Sequence, residues 1–221
     1  MNICIIAGHT TTGKGPGAVG YINESTENRI LAKKVTEYIK KAGHNCDYYE
    51  VNKSDTYLKD QTNFANKKAY DVVVQIHFNA NKNTLSPMGT ETLYKSSKGK
   101  AIAERVTNKL GLLYKQRGVK LRTDLHWLNA TKYPAILIET CFVDSKADTD
   151  KYINNKDATA KLIAEGIIGK DIIETNVTTS SKNDDILWAV CVGAYKDKNK
   201  ADSIVEELKK KGYTSAYLIP R

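Results

Sequence analysis

The sequence predicts an α/β protein with a largely parallel, twisted sheet flanked by helices, followed by a small C-terminal β-α-β unit. Three observations favour this fold class. Apolar runs typical of buried strands occur at residues 2–7, 71–78 and 135–138. Amphipathic helical patterns separate these runs, and strands that alternate with helices are typical of parallel sheets. A polar stretch at residues 176–183 then precedes a last strand–helix–strand pattern.

The individual elements follow in order from these patterns. The first apolar run ends at Gly8 and leads into a glycine-rich loop, after which a helix begins at residues 23–25 and ends before Gly43. Weaker strand signals lie at residues 45–51 and 90–94. Hydrophobic periodicity predicts four further helices, at residues 57–68, 98–115, 146–152 and 159–173.

Composition divides the chain into two parts of unequal size. Residues 1–175 are long enough for one domain with a sizeable core, and residues 176–183 are the expected linker. The last part, residues 184–221, is close to the limit of about 40 residues below which a chain seldom folds alone. We therefore expect this unit to dock on another surface or to pair with a second copy.

The charge and the cysteines limit the classes of partner and site. A formal net charge of +9 favours an anionic partner, such as a nucleic acid, an acidic membrane face or an anionic wall polymer. No helix-turn-helix or aromatic nucleic-acid-binding pattern is present, so a nucleic acid is not expected. The four cysteines are isolated in the sequence, which excludes a thiolate zinc ribbon and a redox dithiol. They are residues 4, 46, 141 and 191.

The N-terminal sequence predicts where the protein is made. Its apolar run has no basic leader and is too short for a signal peptide or a membrane span. We expect synthesis in the cytoplasm, no membrane span, and release by another route, such as a holin or cell lysis.

Three side chains with metal-binding or acid–base chemistry lie at predicted strand ends. His9 follows the first strand, His77 ends the central strand and Glu139 ends the last. In an open α/β sheet the carboxyl ends of the strands line one crevice, so these residues are expected to converge. A catalytic zinc takes three protein ligands, commonly imidazoles and a carboxylate. Glu24, in the first turn of the first helix, is the best third ligand, and Glu27 is the alternative.

Five stretches of the chain resemble the zinc-dependent N-acetylmuramoyl-L-alanine amidases of the amidase 3 family. They recur in the family's order over about 170 residues: IIAGHT at 5–10, GPGAVG at 15–20, NESTENRILA at 23–32, VQIHFNAN at 74–81 and AILIETCFVD at 135–144. The resemblance implies one Zn²⁺ per catalytic domain, held by His9, Glu24 and His77, with Glu139 as the catalytic carboxylate. It also implies a substrate, bacterial peptidoglycan, cleaved at the amide between N-acetylmuramic acid and L-alanine.

One departure from the family concerns the loop after the first histidine. The family often has Gly-Gly there, whereas this chain has threonines at 10–12. We expect a different loop shape and different substrate contacts. The residues expected to bind substrate are Asn79, His126 and Asn129, although for His126 packing near the surface is an equal alternative.

The C-terminal unit resembles half of a SPOR domain, a peptidoglycan-binding module. The resemblance rests on VGAY, the Asn-Lys-Ala helix opening and the Gly-Tyr before the last strand. A dimerisation unit is the alternative, and a homodimer would supply the missing half. The whole chain is therefore expected to be an endolysin or autolysin that also contacts anionic wall polymers. A non-catalytic wall-binding protein on the same scaffold is the competing hypothesis.

Overall fold

The computed structural model describes residues 1–172 and 196–213, and the chain divides into two units, Met1–Glu174 and Thr175–Arg221. The described part of the first unit contains a six-stranded sheet in the order β2-β1-β3-β6-β4-β5. Its strands are β1 (Asn2–Ala7), β2 (Asn45–Tyr49), β3 (Val72–Asn79), β4 (Thr90–Tyr94), β5 (Gln116–Leu121) and β6 (Ala135–Phe142). The pairs β1–β2, β1–β3, β3–β6 and β4–β5 are parallel, and β4–β6 is antiparallel.

Helices cover both faces of this sheet. Helices α1, α3 and α6 pack on one face, and α2 and α4 pack on the other. The helices of the first unit are α1 (Glu24–Lys41), α2 (Tyr57–Ala65), α3 (Ser97–Leu110), α4 (His126–Ala130), α5 (Lys146–Asn154) and α6 (Lys156–Ile168). The predicted α/β class with a largely parallel sheet is confirmed.

Buried apolar runs explain the central strands. Strand β1 and the first half of β3 carry apolar side chains on both faces, as strands covered on both sides by helices require. Successive side chains alternate between faces, so Val73 and Leu137 pack on the α2/α4 side. His77 lies four residues after Val73 in β3, and Glu139 lies two residues after Leu137 in β6, so each points to the same face as that residue. Both therefore project from the α2/α4 face near the carboxyl ends of the strands.

The first helix begins where its polar residues predict. The Asn23 side chain accepts a hydrogen bond from the Thr26 N–H, which is a standard N-cap. Glu24 and Glu27 occupy the first turn, where the helix dipole favours negative charge. The cap fixes the first turn of α1 beside the end of β1 and so determines where the Glu24 carboxylate lies.

Several predicted boundaries were wrong by a few residues, and two elements were missed. The helix predicted at 98–115 ends at Leu110, because the chain turns at Gly111 and enters β5 at Gln116. The helix predicted at 159–173 begins at Lys156 and ends at a left-handed Gly169. Strand β5 and helix α4 had no counterpart in the prediction.

The described part of the second unit is a single helix, α7 (Lys198–Lys210), near the predicted helix of that unit. Asp197 caps it by accepting from the N–H groups of Asn199 and Lys200. The expected linker, both flanking strands and Cys191 lie outside the described residues. Within residues 1–172 and 196–213, no helix has the length and apolar character needed to cross a membrane.

Candidate metal centre and active site

The carboxyl ends of three parallel strands meet at one edge of the sheet. His9 lies two residues after β1, His77 is near the end of β3, and Glu139 is its register partner in β6. Gly8 links the first two, because its N–H donates to the Ile76 carbonyl. A Cβ atom at Gly8 would lie 2.3 Å from His77 Nε2, so only glycine allows this approach.

His9 has a strained backbone and an ordered ring. Its φ angle is 61°, a left-handed conformation that residues other than glycine rarely adopt. Its Nδ1 lies 3.1 Å from the Gly15 carbonyl oxygen. Since a carbonyl only accepts, His9 donates through Nδ1, and the Nε2 lone pair is available as a ligand.

Glu24 brings the two histidines together. Its Oε1 lies 3.1 Å from His9 Nε2 and 3.0 Å from His77 Nδ1, and it accepts from the Phe78 N–H. Its Oε2 accepts from the Ala18 N–H. Burial opposes ionisation of this carboxyl, but hydrogen bonds to His77 and His9 lower its pKa well below the usual value.

The donor set fits a small divalent cation. One nitrogen or oxygen from each of His9, Glu24 and His77 lies within 4.8 Å of the others. Two ligands of a tetrahedral zinc at about 2.0–2.1 Å are about 3.3 Å apart, which is close to the two measured separations. Both ring nitrogens of His9 face an oxygen acceptor, Nδ1 the Gly15 carbonyl and Nε2 the Glu24 carboxylate. A neutral imidazole has one N–H and can donate to only one of them. A cation between His9 Nε2 and Glu24 Oε1 removes that conflict.

The alternative ligand, Glu27, has other partners. Its Oε2 accepts from the Tyr152 hydroxyl at 3.1 Å and from Lys156 Nζ at 2.6 Å. These contacts tie α1 to α5 and α6. Glu27 is absent from the group of three potential ligands, so the geometry favours Glu24 over Glu27.

Glu139 lies in an environment that favours its protonated form. Burial, together with the charges of Glu24 and Glu91, raises the pKa of Glu139 to about 8, and Arg122 partly offsets these effects. Within the described part of the chain, its Oε2 is buried and has no hydrogen-bonding partner. This carboxyl is therefore able to exchange a proton near neutral pH.

The residues expected to bind substrate have different surroundings. Asn79 donates at 3.2 Å to Oε1 of Glu91, which is the antiparallel register partner of Glu139. The exposed His126 contacts the Thr62 hydroxyl of α2 at 3.3 Å. Asn129 accepts from Lys95 and donates to the Thr123 carbonyl. Only Asn79 is linked by a described contact to the surroundings of Glu139, and the substrate-binding role of all three stays a prediction.

Comparison with known proteins gives the chain its family. The family described as N-acetylmuramoyl-L-alanine amidase matches residues 3–169. The chain belongs to this family. The catalytic domain of an endolysin targeting Clostridia Difficile has a TM-score of 0.72 and 35% identity, covering 78% of this chain and 99% of that domain. The predicted family membership is confirmed.

Two curated relatives extend the comparison of this amidase-family chain. An uncharacterized protein of Clostridium perfringens is 35% identical over 200 residues, which is 84% of this chain and 57% of that protein. A probable autolysin of Staphylococcus aureus is 31% identical over 210 residues, covering 82% and 42% respectively. The chain therefore spans well under two thirds of the length of these relatives.

Sequence reasoning missed a buried arginine beside the candidate site. The Arg29 guanidinium donates to the carbonyl oxygens of Gly8, His9, Ser25 and Val51. These carbonyls belong to the segments that follow β1 and β2 and to the first turn of α1. Arg29 thus ties the backbone of His9 to α1 and to the segment after β2. Its position directly after Asn28 in the family-like stretch was the only signal in the sequence.

A second missed group lies beyond Glu139 on the same sheet. Arg117 Nε donates to Glu91 Oε2 at 2.9 Å, and its guanidinium carbon lies 4.9 Å from the centre of the Phe142 ring. Glu91 is the antiparallel register partner of Glu139. His77, Glu139, Glu91 and Arg117 therefore form a row across strands β3, β6, β4 and β5. We call these four residues the site row.

Proposed function

We propose that this chain is a zinc-dependent N-acetylmuramoyl-L-alanine amidase that hydrolyses the bond between N-acetylmuramic acid and L-alanine in peptidoglycan. His9 Nε2, His77 Nδ1 and a Glu24 oxygen are the proposed zinc ligands. The observation that carries the proposal is the convergence of these three atoms within 4.8 Å at the strand ends. Membership of the amidase family supplies the reaction.

Glu139 is the proposed catalytic residue. Zinc, when bound, would lower the pKa of a water molecule toward about 7 and polarise the scissile carbonyl. Glu139 is the group that would take a proton from the attacking water and deliver it to the departing amine. A pKa of about 8 without metal supports this role, because a group that titrates near the working pH transfers protons in both directions.

The chain's charge supports attachment to the wall. The +9 net charge favours contact with anionic wall polymers, and such attraction weakens at high salt. An endolysin and a probable autolysin are among the similar proteins, and either biological role fits the proposed activity. We further propose that residues 184–221 bind glycan or dimerise. Helix α7 has no buried residue, and its charged surface is compatible with both.

The experiment that tests the function uses purified walls and two variants. With zinc, the wild-type chain should release free amino groups from walls without new reducing sugar ends. Glu139→Gln should keep zinc and fold but lose activity by about 10²-fold or more, because proton transfer typically contributes that much. His77→Ala should lose both zinc and activity. The variant Glu37→Gln, at an exposed position of α1, is the control for removing a carboxylate.

Two outcomes would overturn the proposal. Full zinc occupancy in His77→Ala would exclude His77 as a ligand. Wall binding by the wild-type chain with no amino-group release, unchanged in Glu139→Gln, would favour the competing hypothesis of a non-catalytic wall-binding protein.

A further inference from the structure

Arg117 lies at the end of the site row, and its guanidinium is held in place at Nε. Its Nε donates to Glu91, and its guanidinium carbon lies 4.9 Å from the centre of the Phe142 ring. Among residues 1–172 and 196–213, its two terminal nitrogens have no hydrogen-bonding partner. Its side chain is 37% exposed, whereas that of Glu91 is 12% exposed. The edge of the guanidinium between the two terminal nitrogens is therefore accessible to a ligand.

The contacts of Arg117 fix its orientation before any ligand binds. A flexible lysine side chain would lose conformational freedom on binding, but a guanidinium that is held at Nε and lies over an aromatic ring loses little. A guanidinium can donate two parallel hydrogen bonds to one carboxylate. The ion pair with Glu91 leaves the edge between the terminal nitrogens available. The group suited to this edge is a carboxylate.

The side of the substrate that reaches Arg117 follows from the role of Glu139. Glu139 must lie within hydrogen-bonding reach of the departing amine in order to protonate it. A peptide that leaves this amine along the site row, away from the proposed zinc ligands, passes Glu91 and reaches Arg117. The sugar portion of the substrate lies on the other side of the scissile bond.

The distance selects one position on the peptide. Strands β6 and β5 are separated by two strand spacings, which is about 9.5 Å. An extended peptide advances about 3.3–3.6 Å per residue. A segment of one or two residues, with a hydrogen bond of about 2.8 Å to Glu139 at one end and to Arg117 at the other, spans about 9–13 Å. L-alanine has no free carboxylate, because its carboxyl group forms the next peptide bond, so the carboxylate belongs to the residue that follows it.

We propose that Arg117 is a substrate-binding residue that recognises a free carboxylate on the second residue of the stem peptide. This inference rests on the proposed amidase function and adds a specificity to it. A carboxamide at the same position accepts only one hydrogen bond and has no charge, so it binds more weakly.

The test uses two matched muropeptides as competitors of wall cleavage. Each is a disaccharide with an L-alanyl peptide, and they differ only in a carboxylate or a carboxamide on the second residue. For the wild-type chain, the carboxylate form should inhibit the loss of wall turbidity about 10- to 100-fold more tightly. Turbidity is the readout because cleavage of the soluble muropeptides also releases amino groups. Arg117→Gln should remove this preference, and Arg117→Lys should keep only part of it because the charge remains without the fork.

Control variants and outcomes separate this inference from the proposed function. Lys120→Gln removes the same charge from the same strand and should leave the preference intact. Equal inhibition by both muropeptides in a chain that cleaves walls would overturn the carboxylate site alone. Slower cleavage by Arg117→Gln with the preference retained would also overturn it and leave Arg117 as a support for Glu91. No cleavage of walls by the wild-type chain would refute the amidase function itself.

Discussion

The raised pKa of Glu139 predicts how the stability of the metal-free protein depends on pH. Burial, with the charges of Glu24 and Glu91, raises that pKa from 4.5 to about 8. A carboxyl with a higher pKa in the folded state binds its proton more tightly when folded. Its contribution to stability is fully present below pH 4.5 and is lost as pH rises through about 8.

The variant Glu139→Gln isolates this contribution, because glutamine does not ionise. Each pKa unit corresponds to about 1.36 kcal/mol, so a shift from 4.5 to 8 amounts to about 5 kcal/mol. The free energy of unfolding of Glu139→Gln, minus that of the wild type, should therefore be smallest below pH 4.5. It should increase by about 3–5 kcal/mol between pH 4.5 and pH 9.

Urea unfolding at a series of pH values measures this difference. A chelator keeps zinc out, so that only the protein's own groups set the pKa. Glu37→Gln is the control, since Glu37 is exposed on α1 and its removal should change stability little at any pH. Parallel curves for wild type and Glu139→Gln, within about 0.5 kcal/mol from pH 5 to pH 9, would refute the assigned environment of Glu139.

Two further substitutions test the support of the site, and a third tests the stability of the fold without affecting the site. Arg29→Met removes the donors that hold His9, and should weaken zinc binding about 10- to 100-fold in a chelator competition; an unchanged affinity would contradict its positioning role. Gly8→Ala places a Cβ 2.3 Å from His77 Nε2, and should weaken zinc binding and lower stability by about 1–3 kcal/mol. Asp148→Ala removes the acceptor of the Gly89 N–H, and should cost about 1–3 kcal/mol in thermal unfolding without changing zinc affinity.

The parts of the fold that sequence predicted are those with a strong local signal. Strands β1, β3 and β6 are near-continuous apolar runs because helices cover both faces of the sheet. Strand β5 is different, since it is the exposed edge strand and five of its six residues are exposed. An edge strand with little burial has no hydrophobic pattern to detect. Helix α4 has five residues, fewer than periodicity can resolve.

The candidate site divides in the same way. His9, His77 and Glu139 were predicted together because strand ends converge in any sheet of this class. Arg29 and Arg117 were missed because their partners lie elsewhere in the chain, such as the Val51 carbonyl and the Glu91 carboxylate. In the sequence, nothing distinguishes either arginine from an ordinary charged surface residue. Their roles depend on tertiary contacts that a local pattern does not encode.

Two glutamates of the site are kept in opposite protonation states by their surroundings. Glu24 lies at the positive end of α1, contacts two imidazoles and accepts from the N–H groups of Ala18 and Phe78. It is therefore an anion ready for a cation. Glu139 is buried without such donors and beside other carboxylates, so it retains a proton more readily. Where neighbouring carboxyls have pKa values pushed apart in this way, the one with the lower pKa suits electrostatic or metal binding and the other suits proton transfer. The environments thus support the same division of roles as the family resemblance, on independent physical grounds.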